Sequence, residues 1–175
     1  MAIRPGRTVR QPRRAWTRTS KRVAKMSYVT GVPDSKIHIF EMGTASKKDE
    51  FDLQLVLIVS DNIQIRDNAL EAARVVSNKL FEKKLLPENY FFKVNLYPHQ
   101  CLREHTMAVG AGADRVSSGM RLSFGWPSGR AAVTKPGQAI MTLHTFKKFR
   151  EDAWNGLERA SKKMPGRCYV EERKK

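Results

Sequence analysis

Between Arg4 and Lys25 the chain carries nine arginines and lysines, and no acidic residue occurs before Asp34. This opening limits where a fold can form. Like charges without partners repel one another and stay hydrated, and Pro5, Gly6 and Pro12 interrupt any regular element. Few apolar residues remain there to build a core. Residues 1–33 therefore read as a basic extension, residues 34–172 as the single packed domain, and residues 173–175 as a short basic tail. A polyanion would neutralise the extension and release counterions on binding. Nucleic acid fits that chemistry, and Arg4, Arg7, Arg10, Arg13, Arg14, Arg18, Lys21, Arg22 and Lys25 are the candidate phosphate contacts. Trp16 and Tyr28 interleave with these charges in a way that suits stacking on unpaired bases. The plainer alternative is a solubilising tail.

The rest of the charge is unevenly placed. Residues 34–96 hold nine basic and ten acidic side chains, whereas residues 97–175 hold fifteen and seven, within a total of +16. A near-neutral module between two basic ends is the pattern of a small body anchored in a larger anionic structure. Cys101 and Cys168 do not make a disulfide framework, and a reducing cytoplasm is the expected setting. The longest apolar run, Leu55–Val59, is far short of a membrane span. The opening lacks the apolar region of a secretory signal, and Pro5 and Pro12 spoil the amphipathic helix of a transit peptide.

Hydrophobic periodicity outlines the body. Residues 36–41 alternate as a half-buried strand, residues 51–60 become continuously apolar as a central strand would, and residues 43–50 between them read as a turn. Over 66–86 the period changes: Ala69, Leu70, Ala73, Val76 and Leu80 recur at helical spacing, with Asp67 or Asn68 as N-cap and Pro87 as the stop. Residues 90–97 form an aromatic-rich strand. Residues 98–119 have glycines, small residues and no period, which reads as a long functional loop. Further strands are expected at 120–126, 131–134 and 138–144, with a turn at Trp126–Arg130. A second helix follows, with Phe146, Phe149, Ala153, Trp154, Leu157 and Ala160 on one face; Pro165 and Gly166 end it before a closing strand at 167–171. The result is an α+β fold with a mixed or antiparallel sheet and two main helices. The order strand, strand, helix, strand occurs twice, without sequence self-similarity.

Three constellations invite chemistry. Gly110, Gly112 and the residues up to Arg115 resemble a dinucleotide fingerprint, but Arg115 stands where the third glycine belongs. Glycines that let the backbone approach a phosphate or base, with Arg103, Arg115 and Arg121 beside them, are the better reading. His99, Cys101 and His105 are possible zinc ligands, and only the distant Cys168 or His144 would supply a fourth. The same residues could be imagined as a thiol nucleophile site, for which no orienting partner or oxyanion hole is recognisable. The second helix carries Lys147, Lys148, Arg150, Arg159, Lys162 and Lys163, which suit either phosphate contact or an ordinary solvated face. Arg130 and Lys135 could likewise touch a nucleic-acid backbone or simply decorate a hairpin.

The segments MAIRPGRTVRQPRRAWTRTSKRVAKMSYVTGVPDSKIHIFEMG and HQCLREHTMAVGAGADRVSSGMRLSFGWPSGRAA resemble those of ribosomal protein L ten-e, the archaeal and eukaryotic counterpart of bacterial ribosomal protein L sixteen. The resemblance covers nearly the whole chain, and its length and short C-terminal end resemble archaeal members. It implies a two-layer α/β sandwich of hammerhead shape and a structural role in the cytoplasmic large ribosomal subunit. The implied partners are large-subunit ribosomal RNA near the aminoacyl-tRNA site, tRNA at that site and neighbouring ribosomal proteins. It implies no catalytic activity, cofactor, metal, membrane or small-molecule substrate. The loop residues Arg103, His105, Gly110, Gly112, Arg115 and Arg121 would then lie close to tRNA. A free-standing RNA-binding assembly factor or RNA chaperone is the alternative.

Overall fold

A computed structural model describes residues 29, 31–104 and 125–173 of the chain. In order, the elements are β1 (Glu41–Gly43), β2 (Leu53–Val59), β3 (Gln64–Arg66), α1 (Asp67–Lys84), β4 (Tyr90–Val94), β5 (Gln100–Glu104), β6 (Trp126–Val133), β7 (Ala139–Thr145), α2 (Arg150–Ser161) and β8 (Cys168–Arg173). They form an α+β fold with two sheets. The larger has the order β1-β4-β7-β2-β8 and the smaller β3-β6-β5, and every pairing is antiparallel.

The core lies between the large sheet and both helices. Alternate residues of β2, Leu53, Leu55, Leu57 and Val59, share one buried cluster with Leu70, Ala73 and Phe81 of α1 and with Ala153, Leu157 and Ala160 of α2. Phe81 packs against Tyr90 and Phe92 of β4, with ring centroids 5.6 and 5.3 Å away. The two helices meet where Ser77 Oγ donates to the carbonyl of Gly156 at 3.1 Å.

The repeated order seen in the sequence has a topological counterpart. The units β2-α1-β4 and β7-α2-β8 interleave: β2 and β7 pair at the centre, β4 pairs with β7, and β8 pairs with β2. Exchanging the two units reproduces the same pairings.

Several expectations need correction. The strand expected at 36–41 enters its ladder only at Glu41–Gly43. Upstream, Lys36 N–H donates to Asp67 Oδ2 at 2.9 Å and Ile37 N–H to Ser35 Oγ at 3.3 Å, so side chains take the donors a sheet would use. Asp67 opens α1 from inside its first turn, and Arg66 occupies the cap position. The loop expected from residue 98 does not begin there, because Gln100–Glu104 pair with β6 and bury Cys101 and Leu102. The turn expected at Trp126–Arg130 is instead part of the continuous strand β6. Pro127 is tolerated because β3 reaches only Ala131–Val133, leaving that stretch of β6 with β5 as its single neighbour among the described residues. A register shift opposite Leu102 and Arg103 absorbs the irregularity.

Candidate nucleic-acid interface

The small sheet holds the root of the basic N-terminal extension and both ends of residues 105–124, which carry two arginines and one aspartate. On one side, Arg130 of β6 donates from Nε to the carbonyl of Pro33 at 2.8 Å and ties down the end of the N-terminal extension. The backbone continues to Lys36, whose N–H is held by Asp67 at the start of α1. On the other side, β5 ends at Glu104 and β6 begins at Trp126, which stands opposite it. Residues 105–124 connect these two positions. Both segments therefore start from the same three strands, away from the neutral core of the large sheet.

Packing on the small sheet explains its chemistry. Ile65 and Ala132 stand opposite each other, and both belong to the main core. Cys101, opposite Arg130, is fully buried. Burial pushes its thiol above the ordinary range, against the opposing pull of the Arg103 and Arg130 charges nearby. A buried, protonated thiol is a poor nucleophile, which removes the thiol-enzyme reading. Cys168 lies on β8, at the far edge of the other sheet, and burial followed by the Asp61 charge raises its thiol to about 11. His99 packs on Tyr97 at 4.5 Å and His144 on Phe91 at 6.0 Å, in different parts of the body. Among the described residues no three His, Cys, Asp or Glu side chains converge on one point. His105 lies outside those residues.

Of the expected loop contacts, Arg103 is on β5 opposite Pro127. His105, Gly110, Gly112, Arg115 and Arg121 fall outside the described residues, as do Arg4, Arg7, Arg10, Arg13, Arg14, Trp16, Arg18, Lys21, Arg22 and Lys25. Arg130, read from the sequence as a possible backbone contact, holds the Pro33 carbonyl, and Trp126, read only as part of a turn, is 84% exposed. On the second helix the charges divide. Arg150 pairs with Glu172 at 3.0 Å and Lys162 with Glu158 at 3.2 Å, as ordinary surface ion pairs. Lys148 lies over Phe149, 4.7 Å from its centroid. Lys147, Arg159 and Lys163 have no carboxylate partner among the described residues.

A near-neutral folded body with a strongly basic extension tied to one small sheet has the build of a structural, RNA-associated protein. Residues 13–171 match the family model described as ribosomal protein L16p/L10e. The "Large ribosomal subunit protein uL16" of Archaeoglobus fulgidus is 46% identical over 156 residues, covering 89% of this chain and 88% of that protein. Those of Methanococcus aeolicus and Picrophilus torridus are each 42% identical, covering 97% and 93% of this chain and 94% and 92% of their own length. The chain belongs to the L16p/L10e family of ribosomal proteins. Members of this family are structural constituents and not enzymes.

Proposed function

We propose that this protein is a structural constituent of the large subunit of cytoplasmic ribosomes, bound to large-subunit RNA near the aminoacyl-tRNA site, where it supports tRNA accommodation. In this reading residues 1–33 are the RNA-binding extension, residues 34–172 the body, with the two-layer, hammerhead-like form implied by the family, and 173–175 a basic tail. The observation that carries it is the common root of the basic extension and of residues 105–124: Arg130 holds Pro33, and Glu104 and Trp126, between which that segment runs, are paired in the same small sheet. One small sheet can thereby set the extension on ribosomal RNA and present the loop to a second RNA. The positive charges of the extension position the protein on phosphates without reading sequence. Arg103, Arg115 and Arg121 would act at the tRNA side by electrostatics, with His105, Gly110 and Gly112 in the same segment. Neighbouring ribosomal proteins complete the surroundings.

Sedimentation of a native extract through a high-salt gradient tests the first half. About one copy per mature large subunit is expected. Release by salt, or presence only on precursor particles, would make the chain an assembly factor instead. Replacement of Arg103, Arg115 and Arg121 by alanine tests the second half. Weaker tRNA binding at the aminoacyl site is expected, with the chain still in the subunit; normal binding would remove the loop from that role.

A further inference from the structure

We infer that the folded body carries a phosphate-binding patch of its own, made by Lys135, Lys163 and Arg167 at the joint between the two sheets, for the backbone of large-subunit ribosomal RNA. The inference rests on the ribosomal reading above. All three side chains are exposed, and none has a carboxylate partner among the described residues. The joint is the link of residues 60–63 between β2 and β3, and two turns flank it. On one side runs the turn from β6 to β7. There Gly137 N–H donates to the Val59 carbonyl at 2.8 Å, Val59 N–H to that of Gln138 at 3.1 Å, and Thr134 N–H to that of Ile63 at 2.9 Å. On the other side runs the turn from α2 to β8, where Ser60 N–H donates to the Arg167 carbonyl at 2.9 Å. Gly166, at φ +107°, comes so near the link that a Cβ there would stand 2.9 Å from Ile63 Cδ1. Since β7 and β8 lie on either side of β2, the two turns are two strand spacings, about 10 Å, apart.

The turns are held by backbone groups, which leaves the charges over. Arg167 donates its N–H to Asp61 Oδ2 at 3.0 Å and accepts from Ser60 at its carbonyl, so its guanidinium serves neither bond. Lys135 likewise uses its N–H, which donates to Gln138 Oε1 at 3.0 Å. The carboxylates beside the turns are engaged: Asp61 by the Arg167 N–H, and Glu158 by Lys162 at 3.2 Å. Lysines at the C-terminal end of α2 suit its macrodipole, and this accounts for Lys162 and Lys163. It does not account for Lys135, which comes from the other turn, or for Arg167, which lies beyond the helix. Like charges fixed around one joint repel, and an extended polyanion relieves that strain at several phosphates together without any reading of bases. The joint also stands apart from the other roots on β6. Arg130, which holds Pro33, is roughly 15 Å back along the strand from Lys135, and Trp126 is roughly 25–30 Å back. A second attachment at that distance from the root of the extension fixes the orientation of the body on the RNA.

The test uses the full chain and protein-free large-subunit RNA. In the complex of the wild-type chain, Lys135 and Lys163 should be protected from amine acylation, while the exposed Lys79 and Lys83 of α1 keep their reactivity. Affinity is then measured at several salt concentrations for the triple variant Lys135→Gln, Lys163→Gln, Arg167→Gln. The slope of log affinity against log salt should fall by about 2, as expected when up to three phosphate contacts are lost. A second triple variant, Lys47→Gln, Lys79→Gln, Lys83→Gln, removes the same charge elsewhere on the body and should change the slope clearly less. Reactive Lys135 and Lys163 in the complex, or equal slopes in the two triple variants, overturns the patch. Protection in intact large subunits that is absent on protein-free RNA means that a neighbouring protein covers the joint, and overturns the assignment to RNA. If the wild-type chain does not bind the RNA, the ribosomal reading fails and takes this inference with it. If it binds and the first triple variant matches it, only the patch fails.

Discussion

Gly156→Ala has opposite expected effects depending on whether the two helices meet as described. In an isolated helix the change is stabilising by about 1 kcal/mol, because alanine has the better propensity. Here a Cβ at Gly156 would stand 2.2 Å from Cε1 and 2.7 Å from Cζ of Phe81. That ring has no room to give, since it is fully buried with Tyr90 and Phe92 against it. Relief has to come from moving α2 off α1, which also stretches the bond from Ser77 Oγ to the Gly156 carbonyl. Overpacking of this kind costs about 1–3 kcal/mol, and the close approach to two ring atoms puts it at the upper end. Subtracting the propensity gain leaves a net loss of about 2 kcal/mol. Denaturant unfolding of the full chain, followed by far-ultraviolet circular dichroism at fixed salt, measures it as a lower midpoint with unchanged slope. Phe81→Leu alone should also destabilise, but adding it to Gly156→Ala gives the new methyl space. The double variant should therefore be more stable than the sum of the two losses by about 1–2 kcal/mol. A neutral or stabilised Gly156→Ala, or strict additivity, would refute the described helix contact.

Two further outcomes follow from β4 and its neighbours. Gly43→Ala should cost more than about 2 kcal/mol, because φ is +84° and the Cβ would stand 2.2 Å from the Tyr90 carbonyl oxygen; Gly137→Ala, also at positive φ but with nothing within 4 Å, should cost clearly less in the same melting experiment. Alkaline stability should depend on Tyr90, whose phenol is pushed up to about 12 by burial first and by the Glu82 charge second. Below about pH 10 the phenol is protonated in both states; between about 10 and 12 the unfolded chain ionises while the folded one holds its proton, so stability falls as pH rises through that window. Tyr90→Phe should lose about 1 kcal/mol at neutral pH, with its bond to Asn78, and show a shallower alkaline decline. Equal declines in the two proteins would exclude Tyr90 as the cause.

The long periodic segments are legible in the sequence alone. α1, α2, β2 and β7 have enough residues for their spacing to repeat, and their apolar positions form the main core. Short elements left no such signal. β3 has three residues, and Arg66 at its end reads equally well as the start of the helix. β6 contains Pro127 and Gly129, ordinarily turn residues, and forms a strand there by pairing with β5 on one side, with no neighbour on the other among the described residues. Of the site, the charge was visible and the geometry was not. Nothing local announces that Arg130 will bond the carbonyl of Pro33, since a backbone acceptor has no residue signature. Conversely, His99 and Cys101 look like metal ligands by spacing, yet strand alternation buries the Cys101 side chain and His99 packs on Tyr97.

The interleaved sheet also dictates an order of events during synthesis. Among the described residues β2 has no strand to pair with until β7 emerges, because β1 joins only β4 and β4 joins only β7 and β1. β8, the other neighbour of β2, comes later still. The first half of the body therefore leaves the exit tunnel with its central strand unsatisfied on both sides. Closure of such long-range pairings is slow. On the proposed reading, the basic extension is made first and is available to RNA throughout that wait. Attachment can then precede folding, and the body can assemble in place.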